Sequence, residues 1–186
     1  MIHNILKTAF EQKKLVDINI YELEDEDSII GYITEINDKS FKIKEIDKFG
    51  YFDGNTIYSV DKIKNISLNN WYLNGLQIII NNVNKLNQDN RVSIHKNGKE
   101  LISHFKNLKE KEIMTMLFFK KDDYELGIIL DFDENYLLFK DIGQDGIELG
   151  ITCYCIDDII GLRYNGLGEQ KTKLLYDTFK DLGDKK

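Results

Sequence analysis

The sequence predicts a mainly β protein with flanking helices (α+β), built as two tandem five-stranded barrels that each have an N-terminal and a C-terminal helix. The main observation is a repeat at an offset of 96 residues, which aligns three glycines of one half with three of the other: Gly31, Gly50 and Gly54 with Gly127, Gly146 and Gly150. Period-two alternation of apolar residues predicts the strands around them. A repeat of this length indicates a duplicated structural unit.

The first half begins with a helix over about 2–13, because Ile2, Ile5, Leu6 and Ala9 recur at helical spacing. Alternating apolar and polar residues then predict strands at about 15–23, 28–36, 40–48, 51–60 and 63–68. A second helix over about 70–87 carries Trp71 and a run of aliphatic residues. This order is typical of one small helix-flanked β unit.

The second half repeats the order, with helices over about 99–110 and 170–182. The polar stretch 87–98 predicts a linker, so the domains are expected at 1–88 and 96–186. Glycine ordinarily weakens a strand, yet the pairs Gly31/Gly127 and Gly54/Gly150 fall inside strands. Glycine also permits a sharp bend, so these pairs favour short strands that close into a barrel.

Composition is that of a globular protein, with 42% hydrophobic and 31% charged residues and a net charge of −7. An acidic chain lacks the clustered lysines and arginines that non-specific phosphate binding needs, which argues against RNA as a partner. No apolar run reaches the length of a membrane span and no signal-peptide pattern begins the chain, so a cytoplasmic location is expected. Cys153 and Cys155 are expected to be free thiols.

A first motif typical of Sm-like proteins can be aligned with both halves. Its glycine and two apolar positions match Gly31, Ile33 and Ile36 in the first half and Gly127, Ile129 and Phe132 in the second. Each half therefore resembles the Sm-like fold, one of the small SH3-type barrels, over residues 15–68 and 111–164. The resemblance implies five bent strands behind a leading helix.

The same motif departs from the family at the positions that bind nucleic acid. In Sm-like proteins an aspartate and an asparagine help to form a pocket for a base. In the first half Asn37 and Phe41 replace both residues; in the second half Asp133 fits the aspartate, but Leu137 replaces the asparagine. The arginine-glycine pair of the second motif is also missing. The resemblance therefore implies a degenerate nucleic-acid binder at most, and we keep this function as the alternative.

No motif for catalysis, a metal or a cofactor is present in the sequence. His3, His95 and His104 lack the spacing of zinc ligands, and no nucleophile elbow or phosphate-binding loop occurs. We therefore expect a protein that is not an enzyme and that holds no cofactor.

Six residues are candidates for binding a partner protein. Asp131 and Asp133 would share a face of a strand with Glu134 at its end, a pattern that also fits a solvated strand edge. Aromatic side chains anchor interfaces, so Tyr51, Phe52 and Phe119 are included. The run 113–119 is apolar on both faces, which indicates either cover by a helix or the other unit, or a partner or homodimer surface.

These observations predict a non-enzymatic protein-binding module, because acidic and aromatic residues together suit a basic protein partner. The architecture is similar to that of uncharacterised bacterial proteins built from tandem small barrels, and some acidic proteins of this size are immunity proteins that neutralise toxins. The most specific form of the hypothesis is thus an inhibitor of a basic toxin.

Overall fold

The structure is a computed structural model that describes residues 1–21, 28–120 and 123–183. The fold is α+β, with most strands in two antiparallel sheets and four α-helices among the described residues. The chain divides into two compact units, Met1–Val83 and Asn84–Lys186. No helix in the described ranges is both long enough and apolar enough to cross a membrane.

The first unit contains one five-stranded sheet and two helices. Its elements are α1 (Ile2–Glu11), β1 (Leu15–Ile20), β2 (Ile29–Ile36), β3 (Ser40–Ile46), β4 (Phe52–Ser59), β5 (Ile63–Leu68) and α2 (Trp71–Asn81). The strand order across the sheet is β4-β3-β2-β1-β5. Leu6 and Ala9 of α1 are fully buried in one cluster with Val16, Ile18 and Ile43 of the sheet.

The second unit has the same order of elements and one strand more. Its elements are β6 (Val92–Ile94), α3 (Gly98–Glu110), β7 (Thr115–Phe119), β8 (Tyr124–Phe132), β9 (Tyr136–Ile142), β10 (Glu148–Cys155), β11 (Ile159–Tyr164) and α4 (Leu167–Gly183). The strand order is β10-β9-β8-β7-β11-β6. The stretch 87–98 is thus more than a linker, because Val92–Ile94 pairs antiparallel with β11 at the edge of the sheet.

Both sheets are open, so the expected closed barrels are wrong. In the first unit β4 and β5 lie at opposite edges of the sheet, and in the second β10 and β6 do. Closing a barrel requires inward-facing side chains from every strand. Neither β4 nor β10 contains a fully buried residue, so neither offers an apolar seam to the opposite edge.

Helices cover both faces of the second sheet, which explains why the strand at 113–119 is apolar on both sides. On one face Leu117 packs in a cluster with Leu101, Phe105 and Leu108 of α3. On the other face Met116 packs in a cluster with Tyr176 of α4. Cover by a helix, one of the two alternatives, is therefore confirmed for the buried part of this strand.

Gly31 and Gly127 make close backbone contacts, whereas a Cβ atom on Gly54 or Gly150 would meet nothing within 4 Å. A Cβ atom on Gly31 would lie 2.1 Å from the carbonyl oxygen of Lys44, and one on Gly127 would lie 1.9 Å from that of Lys140. A side chain at either position would therefore separate strands two and three of its sheet. Gly50 and Gly146 follow the third strand with φ of 83° and 82°.

The turn at Asp145-Gly146 is longer than the two-residue type I′ hairpin that this dipeptide indicates. The Gly143 N–H donates to the carbonyl oxygen of Ile147 and the Gly146 N–H to that of Gly143, at 2.8 Å each. Of the two central residues only Gly146 has a positive φ. A type I′ turn needs positive φ at both.

Candidate functional site

An acidic pocket of the second unit lies at the end of the β7–β8 hairpin. The Phe119 N–H donates to the carbonyl oxygen of Asp123 at 2.9 Å and holds the two strands together there. The pocket has a volume of about 460 Å³ and is lined by Phe119, Lys120, Asp123, Glu125, Tyr154, Cys155 and Asp158. These residues come from β7, β8, β10 and the turn after β10.

Two aromatic rings form one wall of this pocket. The ring centroids of Phe119 and Tyr154 are 5.0 Å apart, and the Tyr154 ring meets Phe139 edge-on at 6.1 Å. Phe139 is fully buried in the core. Tyr154 is therefore anchored to the interior of the unit and holds Phe119 in place at the pocket.

The pocket carries an excess of negative charge. Asp158 lies 3.6 Å from the Lys120 ammonium, an exposed ion pair that is screened by solvent. Asp123 and Glu125 have no cationic partner within the described part of the chain. Within the described ranges, two carboxylates of the pocket are thus available to a group from outside.

The carboxylate of Asp141 holds the Tyr154 side chain in place through a hydrogen bond. Asp141 is only 8% exposed and accepts hydrogen bonds from the Tyr154 hydroxyl, at 3.0 Å, and from the Thr152 hydroxyl. The first unit contains a similar contact, in which the Tyr58 hydroxyl donates to Glu45 at 3.2 Å. These residues are the counterparts of Tyr154 and Asp141 at the offset of 96.

Crowded negative charge perturbs the groups of the pocket. Partial burial raises the pKa of Glu125, and the nearby Asp141 and Asp123 carboxylates raise this pKa further. Burial likewise raises the pKa of the Tyr154 hydroxyl, and its hydrogen bond to Asp141 adds to the effect. A cation in the pocket would relieve this repulsion, so the arrangement favours binding of a positively charged group.

Asp131 and Asp133 have structural partners of their own. The Lys109 ammonium donates to Asp131 at 2.6 Å, and this hydrogen bond lowers the pKa of the carboxyl. Asp133 accepts the N–H groups of Asn135 and Tyr136 at 2.7 and 2.8 Å, which lowers its pKa in the same way. Asp133 thus lies in the turn after β8, where it holds the hairpin.

The remaining candidates are spread over both units. Glu134 is exposed at the tip of the β8–β9 turn. Tyr51 and Phe52 belong to the first unit, with 41% and 54% of their surfaces exposed, and the Lys44 ammonium lies 5.0 Å from the Phe52 ring. Of the six predicted residues, Phe119 alone lines the acidic pocket. The described residues contain no group of three side chains suited to a metal ion.

Sequence reasoning missed the acids that line the pocket with Phe119. Asp123 and Asp158 each follow another acid, and Glu125 stands in an ordinary strand pattern. A usable signal was present in the repeat, because Thr56, Tyr58 and Glu45 align with Thr152, Tyr154 and Asp141. An acid and a tyrosine that both recur at the same offset, on neighbouring strands, indicate a side-chain contact.

A second cavity in the same unit, of about 340 Å³, lies beside α4. In its lining Lys173 donates to Asp177 at 2.6 Å, and the buried Glu169 accepts from Arg163 Nε at 2.7 Å, while Glu169 Oε2 is buried with no hydrogen-bond partner among the described residues. Lys85, Lys111 and Glu112 also line this cavity. Its lysines therefore balance its acids, whereas the described lining of the pocket at Phe119 has more acids than lysines.

Comparisons with known proteins place the chain in no family. No family model matches, and no curated protein matches the sequence. Among solved structures, YcgR from Escherichia coli in complex with c-di-GMP is 6% identical, with 99% of this chain and 92% of that chain covered and a TM-score of 0.23. Apo MrkH from K. pneumonia is 12% identical, with 100% and 94% covered and a TM-score of 0.18. These scores are too low to show a shared fold.

Proposed function

We propose that the chain is a non-enzymatic protein-binding module whose second unit receives a basic side chain of a partner protein in the acidic pocket at Phe119. The observation that carries the proposal is the pair of carboxylates on Asp123 and Glu125, which face the same pocket without a cationic partner in the described ranges. An inhibitor of a basic toxin is the narrower form of this function.

The aromatic wall supports a cationic side chain over a metal ion as the ligand. A guanidinium or ammonium group can rest on the face of an aromatic ring and at the same time donate to carboxylates. Phe119 and Tyr154 offer the rings, and Glu125 offers the acceptor beside them. A hard metal ion would need further oxygen ligands in place of these rings.

The binding free energy expected from the pocket decides which method can test the function. One exposed ion pair contributes about 0.2–1 kcal/mol, and a cation–π contact contributes about 0.5–2 kcal/mol. A single side chain would therefore bind with a dissociation constant of about 1 mM or weaker, well short of a specific complex. A partner protein must add contacts around the pocket, and a peptide probe needs a method that detects weak binding.

The test is an NMR titration of the full-length chain with a short peptide that contains one arginine, and with the same peptide carrying glutamate in its place. We expect the arginine peptide alone to shift the amide resonances of Phe119, Glu125 and Tyr154. Removing the two free charges in Asp123→Asn/Glu125→Gln should weaken binding about tenfold. The matched control is Glu134→Gln, which removes an exposed carboxylate outside the pocket.

Three outcomes would overturn the proposed function. The arginine peptide could leave the pocket resonances unchanged, or Glu134→Gln could weaken binding as much as the double variant. A short RNA could also bind more tightly than the peptide, with the strong salt dependence of phosphate contacts, and this would favour the degenerate Sm-like alternative.

A further inference from the structure

From the exposed edge of the second sheet, we infer that this protein forms a symmetric dimer in which β10 pairs antiparallel with β10 of a second copy. β10 is the edge strand of the six-stranded sheet, and within the described residues only β9 pairs with it. This inference goes beyond the proposed function, because it does not use the carboxylates of the pocket.

The residues that alternate along this edge are apolar and exposed. Leu149 and Ile151 are 69% and 59% exposed, and Cys153 and Cys155 follow at the same spacing. On β9, Leu138 lies opposite Cys153 and Tyr136 opposite Cys155, and they are 37% and 53% exposed. We call these six side chains the β10 strip: Tyr136, Leu138, Leu149, Ile151, Cys153 and Cys155. A contiguous apolar surface of this kind marks an interaction site.

Backbone groups along the same edge point away from the sheet. The Ile156 N–H donates to the carbonyl oxygen of Asn135, so this group points towards β9. Hydrogen-bonding direction alternates along an antiparallel strand, so Thr152 and Tyr154 also bond towards β9. The N–H and C=O groups of Ile151, Cys153 and Cys155 therefore face outward, where another strand can pair with them.

The first unit shows how such an edge looks when it is protected. At the offset of 96 the β10 strip corresponds to Ser40, Lys42, Asp53, Asn55, Ile57 and Ser59. The pairing registers are equivalent, with Lys42 opposite Ile57 and Leu138 opposite Cys153. Charged and polar side chains at an edge prevent pairing with another chain. Five of the six positions are polar or charged in the first unit, and Ile57 is the exception. None of the six is charged in the second unit, so its edge lacks this protection.

A second copy of this chain fits the edge better than a charged partner does. The β10 strip carries no formal charge. Two copies of a chain with net charge −7 can therefore meet there without placing like charges of the strip against each other. A twofold axis through Cys153 places Ile151 opposite Cys155 of the other copy on both sides. Leu149 lies at the register shift between Glu148 and Gly150, so the regularly alternating outward-facing residues are Ile151, Cys153 and Cys155. The axis through Cys153 pairs all three of these with one another. An isologous contact of this kind is the commonest dimer symmetry.

The first test is the mass of the full-length chain by analytical ultracentrifugation in a reducing buffer. We expect twice the 21.8 kDa of one chain at protein concentrations of about 100 µM, where even an interface at the small end of the size range would be populated. Ile151→Lys should give the mass of a single chain, because the new charge lies on the pairing face. The matched control is Asn55→Lys at the corresponding position of β4, which should leave the dimer intact.

The second test uses the two cysteines to measure the register. In the register proposed here the two Cys153 residues face each other, and their Cα atoms would lie about 5.5 Å apart, within reach of a disulfide. Diamide accepts the two protons and two electrons released when the Sγ–Sγ bond forms. We expect a covalent dimer in Cys155→Ser and almost none in Cys153→Ser.

The inference would be overturned by a wild-type chain that stays monomeric at that concentration. It would equally be overturned if Asn55→Lys dissociated the dimer as fully as Ile151→Lys, or if crosslinking depended on Cys155 instead of Cys153. Near-identical melting temperatures of the lysine variants and the wild type would show that each variant is folded.

Discussion

A side chain at position 127 would clash, because the α-carbon of Gly127 lies against the neighbouring strand. The carbonyl oxygen of Lys140 would be 1.9 Å from a Cβ atom there, and Gly31 has the same relation to Lys44 at 2.1 Å. Real Cβ atoms do not approach an oxygen so closely, so a substitution must push strands β8 and β9 apart. The glycine therefore reflects a packing constraint, in addition to any bend of the strand.

Gly127→Ala is accordingly expected to destabilise the protein. Overpacking against a rigid backbone costs about 1–3 kcal/mol, which urea denaturation would register as a lower midpoint. Gly168→Ala is the control, since no atom lies within 4 Å of a Cβ atom at this helical position. Alanine there should be neutral or should raise stability by about 0.5–1 kcal/mol. Equal midpoints for Gly127→Ala and the wild type would contradict this account of the repeat.

At the scale of elements, α2 and α3 each begin at an asparagine side chain that caps the helix. The Asn70 side chain accepts the Leu73 N–H at 2.8 Å at the start of α2. Asn97 does the same for Glu100 at the start of α3, and its amide donates to the Glu100 carboxylate at 2.7 Å. Both caps satisfy backbone groups that the helix itself leaves without partners.

Asn70→Ala should lower the free energy of unfolding by about 1 kcal/mol, because it removes the acceptor for the Leu73 N–H. Asn70→Asp keeps an acceptor in the same place and should retain most of the stability. Thermal unfolding followed by circular dichroism measures both. A loss in Asn70→Asp as large as that in Asn70→Ala would show that the cap is not the cause.

Elements with many periodic residues could be predicted from the sequence, and those fixed by distant contacts could not. Apolar spacing predicts the helices α1 and α3, and it predicts the strands of both sheets other than β6. β6 has only three residues between polar neighbours, and β11, which pairs with it, lies about 70 positions along the chain. Asp131 was read as a binding residue because Lys109, its partner, lies on another element. Neither sequence spacing nor composition reveals such pairs.

At the scale of the whole molecule, the two units have a common build and different surfaces. Tyr58 and Glu45 preserve the contact made by Tyr154 and Asp141. Two of the three pocket acids are not preserved, since Glu125 corresponds to the buried Ile29 and Asp158 to Lys62, whereas Asp123 aligns with Asp27. A shared interior with divergent surfaces is what a duplication followed by specialisation would produce, and both binding surfaces proposed above lie in the second unit.

The raised pKa of Glu125 predicts how binding to the pocket should depend on pH. Burial and neighbouring acids raise the pKa of Glu125, so its carboxylate takes up a proton more readily than a free glutamate as the pH falls. A bound cation favours the charged carboxylate and must lower this pKa. By linkage, affinity for a basic group should be full above the pKa of Glu125 in the free protein and should decrease as the pH falls through it.

The most direct test is the pKa of Glu125 itself, measured from its side-chain ¹³C shift with and without saturating arginine peptide. We predict a pKa above that of an ordinary glutamate in the free protein and a clearly lower one in the complex. The pKa of Glu134 serves as the internal control and should not change. A Glu125 pKa that is the same with and without the peptide would contradict the claim that this pocket holds a basic side chain.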